Sequence, residues 1–193
     1  MRDLIDKDHK VMDDYYELLE RYEEGDFSKV KMINELKKLI KEDPYFFDSY
    51  SSLYLLLSES KKEKEAIKLL NEGYKKSLEV ILDKKGEWPD SMEWGFLENR
   101  HVIRIILNKA ILEWELEDND VALDLFRNLL RTNPRDNAGV RFYILAIKMK
   151  MTFDDYEEKF NRGGYYDSDS WKWFNENVES FSDEFGEWMN GED

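Results

Sequence analysis

Apolar positions recur at helical spacing in three segments that share one grammar: a small residue, an apolar run, then a helix-stopping proline. They read EAIKLLNEGYKKSLE around Ala66, VALDLFRNLLRTNP from Val121 to Pro134 and, more loosely, VKMINELKKLIKEDP ending at Pro44. Proline lacks the N–H that an inner helical turn requires, so Pro44 and Pro134 mark stops. Turn and capping residues separate the runs: Gly25-Asp26, the stretch SESKKEK, and Leu116 to Asp120. Thr152-Phe-Asp-Asp155 has the form of a capping box with Asp in place of Glu, opening a short helix to about Arg162 that Gly163-Gly164 ends. Near the C-terminus, Trp171, Phe174, Val178, Phe181, Phe185 and Trp188 follow one another at intervals of 3 and 4, an apolar stripe on one helix face with Trp173 and Met189 beside it. Ser182-Asp183-Glu184 is placed to cap a second short helix, so a kink near Ser182 is expected. The opposite face carries Glu176, Glu179, Asp183, Glu184 and Glu187. The pattern predicts an all-α protein.

The spacing of the runs is itself informative. Ala66 and Ala122 lie 56 residues apart, and Pro44 and Pro134 lie 90 apart; removing one 22-residue insertion at 81–102 sets all four on a common lattice. The lattice period is about 34 residues, that of tetratricopeptide helix–turn–helix repeats, and the chain resembles that family. The resemblance implies a right-handed solenoid of three to four helix pairs, with repeats at 13–46, 47–80 and 103–136 and a partial fourth from 137. Residues 1–164 then form the repeat domain. Residues 165–193 form an acidic, aromatic tail docked on it as a capping helix. The insertion is expected to lengthen the second helix of repeat two and the first helix of repeat three, with the break at Gly86 to Ser91.

A narrower resemblance rests on Leu97-Glu-Asn-Arg-His and Asn133-Pro-Arg-Asp-Asn-Ala-Gly-Val-Arg141. These are similar to motifs of a tetratricopeptide subgroup that includes the suppressor-of-tumorigenicity type, with His101 standing where that subgroup has Pro. The resemblance implies no catalytic activity. Its structural residues here are Glu98, Asn99, Arg100, Asn133, Pro134, Asp136, Asn137, Gly139 and Arg141. Asp136 and Asn137 suit an N-cap between helices, and Gly139 suits close helix approach.

Charge narrows the function. The chain carries a net charge of -15 with 38% charged residues and no cysteine, which removes disulfides and thiolate chemistry and disfavours nucleic acid as a partner. Asp154 to Asp193 holds 13 acids against Lys159, Arg162 and Lys172. Six of the nine arginines lie at 100, 104, 127, 131, 135 and 141. No apolar run approaches the ~18 residues of a membrane span, and a cytoplasmic location without membrane contact is expected.

Candidate chemistry is sparse. His9 and His101 are the only histidines, and the lattice sets them near opposite ends of the helix stack. The acids around His9, namely Asp6, Asp8, Asp13 and Asp14, read as a solvated face, with no metal and no cofactor expected. No phosphate loop, HExxH or GxSxG is present. Arg100, Arg104 and Asn108 share a helix face and, with Trp114 and Arg141, are expected to form an anion-binding, aromatic-floored pocket for a peptide. A structural role for these arginines stands beside that reading: capping carbonyls, or pairing with Glu98, Asp136 or the tail. The tail likewise admits two roles, a fixed cap or an internal ligand of the groove, its acids facing water or the Arg104 and Arg141 region. The function expected is a non-enzymatic scaffold that holds a protein or peptide segment. A homo-oligomer built through Trp88, Trp94 and Phe96 and an enzyme using Glu98, Arg100 and His101 are the alternatives.

Overall fold

A computed structural model describes residues 1–161 and 169–190. Among them the regular structure is helical, with an isolated bridge between Asp3 and Ser91. The chain forms two compact units, residues 1–109 and 110–193. The division falls inside a helix rather than at the predicted 164/165 boundary, which, like the Gly163-Gly164 break, lies outside the described residues.

The first unit contains α1 (Val11–Glu23), α2 (Lys29–Glu42), α3 (Asp48–Glu59), α4 (Glu63–Ile81) and the first turns of α5 (Leu97–Glu115). Helices adjacent in sequence pack on each other from α1 to α4, and their short connections make neighbours antiparallel. Ser28 caps α2 through Lys31 N–H at 3.4 Å. Asp43, ahead of Pro44, leaves the helix in an extended conformation. Met32, Leu36 and Leu39 of α2 join Tyr15, Phe46, Leu53, Leu57 and Ala66 in one apolar core. On α4 the small residues matter most. Gly73 lies so close to α3 that a Cβ there would stand 2.9 Å from the Tyr50 ring.

The insertion lengthens both flanking helices as expected: α4 and α5 have 19 residues each, against 14 in α2 and in α6. The break is wider than Gly86 to Ser91, since residues 82–96 form no helix. Asp83 accepts the N–H groups of Lys85 and Glu87 at 2.8 and 2.9 Å, a turn chemistry that competes with helix. The N-terminal segment fixes the rest: Leu4 N–H donates to the Ser91 carbonyl at 2.8 Å. The Arg2 guanidinium donates to the carbonyls of Ile81 and Glu87, both at 2.7 Å.

The second unit contains the end of α5, then α6 (Asn119–Thr132), α7 (Val140–Lys148), α8 (Phe153–Phe160), α9 (Asp169–Asn177), a 3-10 turn (Val178–Phe181) and α10 (Ser182–Asn190). Asp118 caps α6, and the capping box of α8 is complete, Thr152 and Asp155 exchanging hydrogen bonds at 3.1 Å in both directions. Gly139 serves backbone conformation rather than close helix approach: its φ is +70°, a region open to glycine. Asp136, without Asn137, caps α7.

The tail packs on α7 through α9 and the 3-10 turn, and the turn sits where the kink was expected. Phe174, Val178 and Phe185 are buried, with Phe181 and Trp188 half-buried. Two neighbours exchange roles. Trp173 is buried against Tyr156 and Phe160 of α8, whereas Trp171 is 56% exposed. The tail's Glu184 takes Arg127 at 2.5 Å and Lys148 at 3.4 Å as its partners. Among the described residues no helix is long and apolar enough to cross a membrane.

Gly73→Ala should cost about 1–3 kcal/mol, the usual range for overpacking, read from urea unfolding. Phe185→Ala should cost about 3–5 kcal/mol, and Phe181→Ala distinctly less, since its ring is only half-buried.

Candidate functional site

Three places concentrate polar chemistry. The first is a cavity of about 310 Å³ in the first unit, walled by α1, α3 and α5. Tyr15, Tyr16 and Leu19 come from α1, Ser51, Ser52 and Leu55 from α3, and Arg104, Leu107 and Asn108 from α5. The i, i+4 spacing on α5 sets Arg104 and Asn108 one turn apart on this wall. Arg104 forms an ion pair with the buried Asp48 and lies over the Trp94 ring at 5.2 Å. Tyr15 and Ser52 share a hydroxyl hydrogen bond of 2.7 Å. The Ser51 hydroxyl is buried without a hydrogen-bond partner, and Leu55 is 53% exposed. Asn108 makes no hydrogen bond among the described residues. This surface is apolar with unused hydrogen-bonding capacity at its centre.

The other residues expected at that pocket lie elsewhere. Arg100 donates from Nε to the Trp94 carbonyl at 3.0 Å and stacks over that ring, the carbonyl-capping role. Trp114 floors no pocket: it is buried, its Nε1 donating to the Met151 carbonyl at 3.2 Å, with the rings of Tyr143, Phe153 and Tyr156 about it. A large apolar ring with one satisfied N–H is a core residue by its energetics. Arg141 is also buried and pairs with Asp136 at 3.0 Å. It lines a separate cavity of about 570 Å³ in the second unit. Burial pushes the Asp136 carboxyl up to about 6 against the pull of Arg141 and the N–H groups of Arg141 and Val140. Asn99 is buried, accepting from Asp6 N–H and donating to the carbonyls of Leu4 and Glu93. Glu98 is half-buried in the first turn of α5.

The third place corrects the reading of the histidines. His9 and His101 are both buried, with ring centroids 4.8 Å apart, so the wide separation does not hold; of the acids around His9, Asp8, Asp13 and Asp14 are exposed as expected and Asp6 folds inward. His9 Nδ1 lies 2.8 Å from Asp43 Oδ2 and its Nε2 lies 3.2 Å from Asp6 Oδ2. Two carboxylates facing both ring nitrogens favour the imidazolium. His101 Nδ1 accepts the Phe47 N–H at 3.0 Å, so the neutral ring carries its proton on Nε2, 3.1 Å from Asp6 Oδ2. Asp6, His9 and His101 offer ligand atoms within 4.8 Å of one another. The Phe47 bond, however, leaves no lone pair on His101 Nε2 for a cation. The cluster suits protons. It joins the N-terminal segment to the α2–α3 turn and to α5, as a latch. The Asp6-x-x-His9 spacing is its only local sign in the sequence; the partners at 43 and 101 leave none.

Burial lowers His9, but the hydrogen bonds of Asp6 and Asp43 outweigh it and raise the imidazole above its ordinary value. Burial raises Asp6 and Asp43, but their histidine partners hold both below the usual carboxylate range. The raised His9 stabilises fully below about pH 6.5, and this is lost as pH climbs through its raised value. The lowered acids stabilise above about pH 4 and lose this only as pH falls through their depressed values. His9→Gln should therefore cost most near neutral or mildly acidic pH, about 3 kcal/mol. The gap to the parent protein should narrow as pH rises into the alkaline range, as followed by thermal melts of both proteins. A gap independent of pH would refute the charged latch.

No protein-family model, curated protein or solved structure matches this chain.

Proposed function

We propose that this protein is a non-enzymatic scaffold of tetratricopeptide-like helix pairs that holds a segment of another protein against the α1, α3 and α5 face of its first unit. The observation that carries the reading is the makeup of that face. Alternate helices supply one wall of a shared cavity, as expected where first helices of successive repeats line a binding surface. Leu55 and Tyr16 remain exposed there, and the half-buried Asn108 amide lines the same cavity with no hydrogen bond among the described residues. An incoming main-chain amide can pair with that side chain. Apolar anchors around a few unsatisfied polar groups are what an extended or helical peptide uses. The 34-residue spacing of the runs in the sequence supports the repeat assignment. The net charge of -15 supports a partner other than nucleic acid.

The test is selection of binding peptides from a random library on the full-length protein, followed by calorimetry with parent, Leu55→Glu and Asn108→Ala proteins. Both side chains have solvent access, so circular dichroism and melting temperature should stay unchanged. The selected peptides should lose at least tenfold in affinity on Leu55→Glu, about 1.4 kcal/mol. Failure to select any peptide, or peptides indifferent to both variants, would remove this reading. Growth of sedimentation coefficient with protein concentration, abolished by Phe96→Glu, would instead favour self-association.

A further inference from the structure

We propose that the cavity of the second unit binds a small planar organic anion: a flat aromatic ring bearing one carboxylate or phosphate. This is independent of the peptide face, which belongs to the first unit.

The cavity, of about 570 Å³, has the size of a small-molecule site. Its floor is the Arg141 guanidinium, 4.3 Å from the Trp171 ring centre and 5.4 Å from that of Trp188. Asp136 uses Oδ1 on the Val140 N–H and Oδ2 on the Arg141 N–H and guanidinium, so the one acid among the described lining residues is turned inward and occupied. Arg135 also lines the cavity, is exposed and has no ion pair among the described residues. Asn137 and Asn175 add exposed amides. The lining is therefore cationic in a chain whose net charge is -15, which composition alone does not produce.

Trp171 supplies the second requirement. Its 56% exposure leaves a large apolar ring in water at the cavity edge, although Trp173, two residues on, is buried. Water contact of apolar surface costs about 25 cal/mol per Å². A flat ligand laid on Trp171 removes that contact and gains stacking. Arg135 is then available to the anionic group, and a guanidinium recognises carboxylate or phosphate through paired N–H donors. A bare inorganic anion gains only the second interaction, and a neutral ring only the first.

Calorimetry on the full-length protein tests this with adenosine monophosphate and 2-naphthoate as the two kinds of flat anion, and with adenosine and inorganic phosphate as controls. At least one flat anion should bind with a Kd near or below about 100 µM, and adenosine and phosphate at least tenfold more weakly. Phosphate-bearing and carboxylate-bearing ligands are told apart by which of the two probes binds more tightly. Arg135→Gln and Trp171→Ala should each weaken binding tenfold or more, and Leu55→Glu should leave it unchanged. Arg135 is exposed and makes no ion pair among the described residues, so its variant keeps the fold and stays informative if Trp171→Ala is unstable. The proposal is overturned if neither flat anion binds at ~5 mM, if phosphate alone binds as well as adenosine monophosphate, or if Arg135→Gln has no effect.

Discussion

A buried carboxylate must find a cation or enough N–H donors, and this requirement orders both units. Desolvation alone costs several kcal/mol per ion, so each buried acid constrains where its partner's helix can lie. Asp6 meets His9 and His101, Asp48 meets Arg104, and Asp136 meets Arg141. In the first unit these pairs bridge segments far apart in the chain. Apolar packing there is permissive, since leucines and isoleucines accept several registers. The ion pairs are not, because a shift of one helical turn strands a charge.

The same pairs explain how the candidate surfaces are prepared. Asp48 holds Arg104 on the α5 wall of the first cavity, over Trp94, while Ser51 beside it stays unsatisfied. Asp136 holds Arg141 flat against Trp171 and Phe142, at 4.3 and 4.7 Å from their ring centres. In each case an inward acid fixes a guanidinium whose remaining surface faces an opening. Little side-chain entropy is left to lose when a ligand arrives.

What was legible in the sequence was local. Helical periodicity gave the runs around Met32, Leu70 and Phe126, and capping chemistry gave Ser28, Asp118 and the Thr152–Asp155 box. These signals act over one or two turns. The small residues Gly73 and Ala66 were legible because close helix approach leaves few choices. The grouping of Arg104 with Asn108 followed from their i, i+4 spacing, but joining Arg141 and Trp114 to them required tertiary knowledge. The histidine latch leaves little sign because its members come from three separate places, and a charged segment reads the same whether solvated or folded back. The exchange of Trp171 for Trp173 has a subtler cause. Intervals of 3 and 4 assume a constant angular step up to the kink expected near Ser182, whereas the 3-10 turn at Val178–Phe181 changes that step earlier, and the buried face of α9 turns towards Trp173. The non-helical 82–96 segment owes its path to residues 2–4, which no local window contains.

The long reach of the N-terminal segment also bears on the order of events during synthesis. Asn99 and the Leu4 carbonyl are 95 residues apart, and His9 waits nearly as long for His101. Chains emerge N-terminus first, and domains fold as their parts become available. His9 can meet Asp43 early, but the places of Arg2, Leu4 and Asp6 are complete only once residues 81–101 have been made. Closing so large a loop adds little entropy beyond that of a shorter one, but it sets the timing. α1 to α4 can assemble by local contacts, and the opening segment must then return across them to dock. A segment that waits some ninety residues for its last partners is open to peptidases and chaperones until it docks. The charges of MRDLIDKDHK, which lack an apolar run for either to grip, suit it to that interval.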